Sequence, residues 1–289
     1  MAKDSIHVVF LANDVVYRQA IAFLESFRTY NPDLRLSLIP FADDLFYLEK
    51  LGSLYRFDVV TADPRPWDEL SKEVFPGAPQ KYANRLRKLL VFDVKAPTTV
   101  YVDIDTLVLR DMKFLAEYLL ADKSDFLCVA TGNDPWVYNE SYKNHSQFAR
   151  AKRFSDGFFA LRSDLINGAM ARQLLDTHRN LYLSVRAPQV YCQPITNFIV
   201  DMLGLRVNEV SSVFPFISGK VWYAADSLTS DGPRVKAADG REVLFVHWAG
   251  PVEVTGDVPL GETFLHYLNL ATARIDSAGL PLPPALAKL

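Results

Sequence analysis

The chain has 289 residues, 49% of them hydrophobic, which allows a substantial buried core and excludes general disorder. Its 31 Lys plus Arg against 34 Asp plus Glu give a formal charge of -3, without the basic excess that nucleic-acid or anionic-membrane binding requires. No stretch reaches the roughly 18 uninterrupted apolar residues of a spanning helix, so no membrane span is expected and any membrane association is peripheral.

In chain order, Ile6 to Ala12 is a continuous apolar run, as in a parallel strand covered on both faces, and Asn13 or Asp14 is placed to cap the next helix. That run is too short to span a bilayer and has no small-residue cleavage site after it, so it is read as a strand and not as a leader. The helix should end near Asn31-Pro32. Arg35 to Pro40 reads as a second strand, Asp43 to Leu51 as a short helix opened by its two carboxylates, and Phe57 to Thr61 as a third strand before the turn-rich Asp63-Pro64-Arg65-Pro66. From Gln80 to Val94 the positions Leu86, Leu89, Leu90 and Val94 suit an amphipathic helix, and Thr99 to Ile104 a strand. Strands alternating with helices predict an α/β fold with a mostly parallel sheet.

Further on, strands are expected at Phe126 to Ala130, near Phe158 to Leu161, near Val207 and at Val243 to Val246. Helices are expected around Gly168 to Leu183, Ile195 to Leu203 and Thr263 to Ile275, the last as a core-packing helix, with an extended tail after Leu280. No repeat or linker stands out, so residues 1–289 are read as a single domain. It would have a nucleotide-binding half at about 1–110, a sugar and acceptor half at about 111–260, and a terminal helix and tail at 261–289. Cys128 and Cys192 are far apart and form neither a disulfide framework nor a CxxC pair, which suits a reducing cytoplasm.

The chemistry concentrates in Thr99-Val-Tyr-Val-Asp103-Ile104-Asp105-Thr-Leu-Val-Leu109. A strand presents residues two apart on one side, and ligands of parallel α/β sheets gather at the carboxyl ends of strands. With ordinary pKa values near ~3.9 both Asp103 and Asp105 are ionised at neutral pH, and two such charges side by side favour a divalent ion, Mg²⁺ or Mn²⁺, between them and a diphosphate. The plainer alternative makes Asp105 a turn cap and pairs Asp103 with a nearby cation.

This segment resembles the DxD motif of glycosyltransferases with the GT-A fold, a Rossmann-like nucleotide-diphospho-sugar transferase fold with a mixed sheet flanked by helices. Glycosyltransferase family 8, with its glycogenin-like and bacterial galactosyltransferase-like members, is the nearest resemblance. It implies that Leu11, Ala12, Asn13 and Tyr17 contact the nucleotide, with Tyr17 either stacking on the base or lying as an ordinary tyrosine on the helix surface. It implies that His247, in His247-Trp-Ala-Gly250, is the third metal ligand, with Gly250 and Ile104 also lining the nucleotide sugar. The family's following lysine is absent from Pro251-Val-Glu253. Lys81, Arg85 and Lys88 share a helix face, and the resemblance implies that Arg85 or Lys88 assists the diphosphate. Arg153-Phe-Ser-Asp156-Gly157 resembles the strand lining the sugar pocket, where Asp156 is either a hydroxyl acceptor or a turn residue. Gln193-Pro-Ile-Thr-Asn197 resembles the segment near the reacting carbon, with Cys192 in place of an acid.

The expected activity is therefore a metal-dependent, hexosyltransferase-like transfer from a nucleotide-diphosphate sugar, with a UDP-sugar favoured, to a hydroxyl of a glycan, lipid or small molecule. The resemblance implies retention, and without an evident nucleophile a same-face transfer is preferred. A homo-oligomer stays open. Three readings compete: a haloacid-dehalogenase-like phosphatase with Asp103 as nucleophile, a sugar-nucleotide pyrophosphorylase, which Leu11 to Tyr17 disfavours for want of a glycine-rich loop, and a nucleotide-sugar-binding protein without catalysis.

Overall fold

The computed structural model describes residues 5–79, 82, 84–130, 136–149, 151–188, 192–250 and 253–284. Seven strands form one sheet in the order β3-β2-β1-β4-β7-β6-β8: β1 Ile6–Ala12, β2 Arg35–Pro40, β3 Asp58–Val59, β4 Thr98–Val102, β6 Phe126–Ala130, β7 Phe154–Arg162 and β8 Val207–Glu209. β4 pairs parallel with β1, whereas β7 runs antiparallel to both β4 and β6. The start of β7 therefore lies beside the carboxyl end of β4, and residues 154–157 join the end of the sheet where the other strands finish. Outside this sheet, β5 (Thr106–Val108) pairs antiparallel with β11 (Phe245–His247), and β9 (Leu228–Asp231) pairs with β10 (Arg234–Ala237).

Alternation along β1 sends Val8 and Phe10 to one face and Val9 to the other, and each face has its own core. Helix α1 (Tyr17–Tyr30) and the C-terminal helix Gly261–Ser277 cover the first face. Leu86, Leu89 and Leu90, with Ile195 and Phe198 of the helix Gln193–Met202, cover the second. Among the described residues no helix is long and apolar enough to cross a membrane.

Several expectations are corrected. The stretch 84–93 is a 3-10 run, Asn84–Asp93, and not an α-helix; Lys81 lies outside the described residues. The turn-rich prolines open the helix Arg65–Val74, because a proline in the first helical turn forfeits no internal hydrogen bond. Asp43 and Asp44 do not cap the helix Phe46–Lys50. Asp14 does, its carboxylate accepting the N–H groups of Tyr47 and Leu48 at 2.9 Å each, while Asp44 accepts the side-chain amide of Asn13. The region 168–183 divides into the helices Gly168–Thr177 and Arg179–Val185. The helix Lys113–Leu120 and the β9–β10 hairpin had no counterpart in the pattern of the sequence.

Candidate active site

The site begins where β4 ends. Thr98-Thr-Val-Tyr-Val102 is buried throughout, as a central strand requires, and its last N–H partner is across the sheet: the N–H of Asp103 donates to the Gly157 carbonyl at 2.8 Å. The strand stops there, so the two aspartates do not share one face of a continuous strand as expected. The chain bends between Asp103 and Asp105 into β5, and the bend brings the carboxylates together. β5 then pairs with β11 in a register that sets Thr106 opposite His247. The result joins residues 142 positions apart: His247 Nε2 lies 3.0 Å from Asp105 Oδ1 and 3.8 Å from Asp103 Oδ2.

Donor atoms of Asp103, Asp105 and His247 all lie within 4.8 Å of one another. Two carboxylate oxygens and one imidazole nitrogen form a set that suits a divalent cation. The orientation of Asp103 fits that use. Its Oδ1 accepts the Tyr101 hydroxyl at 2.7 Å and lies 3.1 Å from Lys88 Nζ, while Oδ2 is the atom turned towards His247. Partners behind a ligand fix its orientation in this way.

Lys88 links the carboxylates of Asp103 and Asp156 electrostatically. Its ammonium also lies 3.2 Å from Asp156 Oδ2, donates to the Asp156 carbonyl at 3.0 Å, and sits 4.7 Å from the centre of the Tyr101 ring. Burial alone would lower its pKa, but Asp103 and Asp156 outweigh burial and raise it. For Asp103 burial acts upward, and the charges of Lys88 and His247 with the Tyr101 hydrogen bond bring the net shift below the usual carboxylate value. Asp156 goes the other way: burial raises it, Asp103 adds to that, and Lys88 offsets only part. Burial would also lower the His247 pKa, yet Asp105 and Asp103 leave it raised.

Gly157 forms the wall behind the imidazole. A Cβ there would stand 2.5 Å from His247 Cε1 and 3.0 Å from Asp103 Oδ2, so only glycine permits this approach. Asp156, inside β7 and not in a turn, also takes a long contact of 3.5 Å from the Thr196 hydroxyl. Gln193 opens its helix a short way along, and its carbonyl accepts the Asn197 amide at 2.9 Å. Asn197 is fully buried, and the rest of its amide is bound to the Phe154 backbone in both directions.

At the other end of the site, Leu11 and Ala12 finish β1 and Asn13 follows, its amide held by Asp44. Tyr17 is 2% exposed, its ring edge-on to Tyr47 at 5.9 Å; it lies in the core and not on the helix surface. Arg85 stacks on Tyr82 at 4.6 Å and Lys88 alone of the pair reaches the carboxylates. Ile104 is partly buried within the bend, and Gly250 takes the left-handed φ of +106° just beyond His247. Sequence reasoning passed over Tyr101 and Thr196. The Tyr101–Asp103 spacing of two did carry a signal, since it puts both side chains on one side of an extended chain.

No protein-family model matches the chain, and no curated protein matches it. Solved structures do. The apo bifunctional glycosyltransferase WbbM matches with a TM-score of 0.62 at 13% identity, over 97% of this chain and 52% of that one, so the chain spans about half of WbbM. The galactosyltransferase LgtC, solved with donor and acceptor sugar analogues, matches with 0.59 at 15% identity, over 98% and 99% of the two chains. The glycosyltransferase GlyE of Streptococcus pneumoniae TIGR4 matches with 0.54 at 14% identity, over 97% and 65%. At such identities the likeness is one of fold: the chain has the GT-A fold of these glycosyltransferases.

Proposed function

We propose that this GT-A chain is a metal-dependent glycosyltransferase that moves a sugar from a nucleotide diphosphate, in preference UDP, to an acceptor hydroxyl. The observation that carries the reading is the convergence of Asp103, Asp105 and His247 at the carboxyl end of β4, within a fold shared with glycosyltransferases.

A Mn²⁺ or Mg²⁺ ion held there would supply positive charge for a departing diphosphate; the imidazole ligand favours Mn²⁺. The chain's own residues set up that chemistry. Lys88 keeps Asp103 ionised, Tyr101 fixes which oxygen Asp103 offers, and Gly157 gives His247 its place. Asn13, at the end of β1, marks the nucleoside side, and Arg85 is left as an outer phosphate contact. Asp156 and Gln193 border the sugar side, where Asp156 accepts a sugar hydroxyl through whatever capacity Lys88 leaves it. A phosphatase reading needs Asp103 as a nucleophile, but one of its oxygens is committed to Lys88 and Tyr101 and the other faces His247, which disfavours it.

The test is a panel of UDP-sugars scored for Mn²⁺-dependent thermal stabilisation and UDP release, with Asp105→Asn alongside. Stabilisation and release that need both the ion and Asp105 are expected. Equal behaviour of the wild type and Asp105→Asn would remove the metal role, and tight UDP binding without transfer to any acceptor would leave a binding protein.

A further inference from the structure

A lysine ammonium has three N–H groups to give, and three oxygens surround that of Lys88. Asp103 Oδ1 lies 3.1 Å away. The other two oxygens belong to residue 156: its carboxylate Oδ2 at 3.2 Å and its backbone carbonyl at 3.0 Å. Asp156 thus holds more of the ammonium than Asp103 does. It does so from within β7, next to the Gly157 carbonyl that accepts the N–H of Asp103.

Asp156 does not belong to the triad. The donor atoms of Asp103, Asp105 and His247 come within 4.8 Å of one another without it. Its side chain is 10% exposed, against 26% for Asp103 and 30% for Asp105, so the two triad carboxylates are open to an incoming ion and Asp156 is closed.

Charge shows what this arrangement gains. An ammonium paired with Asp103 alone cancels one of the two carboxylates that attract a cation. It also has a donor to spare for Oδ2, the oxygen of Asp103 turned towards His247. Asp156 offsets both effects. Asp103, Asp105 and Asp156 against Lys88 leave two net negative charges around a neutral imidazole, equal and opposite to a divalent ion; without Asp156 one remains. Buried charges are screened little by salt, so that difference acts in full on an ion at this range.

We propose that Asp156 is a positioning residue for the metal centre: it takes up the Lys88 ammonium, which leaves Asp103 its charge and its Oδ2 for a divalent cation. This rests on the metal-dependent reading and adds to it a role exerted through Lys88, apart from any contact with sugar.

The experiment is calorimetric titration of the full chain with Mn²⁺ alone. Asp156→Asn keeps the shape and removes the charge, and should bind Mn²⁺ about tenfold more weakly than the wild type, as for other supports of a metal ligand. Asp156→Glu keeps the charge and should recover most of that affinity. In a Lys88→Met background, Asp156→Asn should change affinity little, because the residue acts through the ammonium. An equal loss in both backgrounds overturns the assignment, since Asp156 would then attract the ion directly. Where Lys88→Met does not fold, the Asn and Glu variants decide on their own: equal losses in the two, with unchanged far-UV circular dichroism, place the effect in packing and overturn it. Unchanged Mn²⁺ affinity in Asp156→Asn, with a weaker preference for a UDP-sugar over UDP or without one, overturns it as well. Asp105→Asn is titrated alongside. If the wild type takes up no Mn²⁺, or Asp105→Asn takes it up equally well, the metal reading fails and the inference with it; failure of the inference alone leaves those two titrations as expected.

Discussion

Lys88 and Asp103 form an ion pair of 3.1 Å at the base of the site, with the lysine side chain 7% exposed. Removing one member of a buried pair leaves the other charge without compensation, which costs about 3–5 kcal/mol. Lys88→Met should lower stability on that scale, because both Asp103 and Asp156 lose their counter-charge. Mn²⁺ should restore part of the loss in urea denaturation, the cation standing in for the ammonium. A variant as stable as the parent without metal would show that the pair is not ionised.

Gly157→Ala tests the wall behind His247. The added methyl has no room beside Cε1, so the ring must turn away from Asp105. Displaced ligands and their supports typically cost about 10–100-fold in metal affinity. Calorimetric titration with Mn²⁺ should show a loss in that range, and unchanged affinity would place His247 outside the metal set.

Asn197 joins the start of β7 to the helix Gln193–Met202 through three hydrogen bonds in a fully buried setting. Asn197→Ala strands the Phe154 N–H and carbonyl, and orphaned buried polar groups cost about 1–3 kcal/mol each. Urea denaturation should register a loss of about 2–4 kcal/mol; a loss below about 1 kcal/mol would mean that water reaches these groups.

These outcomes bear on how much the sequence discloses. The apolar run of β1 and the β-branched β4 are visible because a covered parallel strand has no polar alternate positions. The β5–β11 pairing is not, since nothing local to Thr106 or His247 specifies a partner 142 residues away; His247 was reachable only through the family pattern. Lys88 could not be told from Arg85 on a helical template. In the 3-10 run residues three apart stay on one face, so the two differ in depth and not in direction: Lys88 is buried against Asp103 and Asp156, whereas Arg85 is partly exposed and stacks on Tyr82. The helix Arg65–Val74 was concealed by its prolines, which read as breakers until their place in the first turn is known.

Asp201 gives a pH test at a carboxyl outside the cluster of Asp103, Asp105 and His247. Burial pushes its carboxyl up from 3.8 to about 6, against the opposing pull of the Tyr138 hydrogen bond and Arg153. A raised folded-state value means the native form holds the proton more tightly than the unfolded chain. The contribution is full below about pH 4 and lost as pH rises to about 6, amounting to about 3 kcal/mol. Asp201→Asn, neutral throughout, should gain stability relative to the wild type by about that amount between pH 4 and pH 7 in paired denaturation curves. A difference independent of pH would show that the carboxyl titrates normally.

The 142 residues that separate Asp105 from His247 also set a schedule for synthesis. At about 5–20 residues per second, a ribosome delivers the imidazole roughly 7–30 seconds after the carboxylates. During that interval the nascent chain has the two carboxylates without the imidazole, a weaker and less selective set of ligands. A cation bound by this triad would meet its full set of ligands only after β11 has emerged and found β5, so loading would come late in the maturation of the protein.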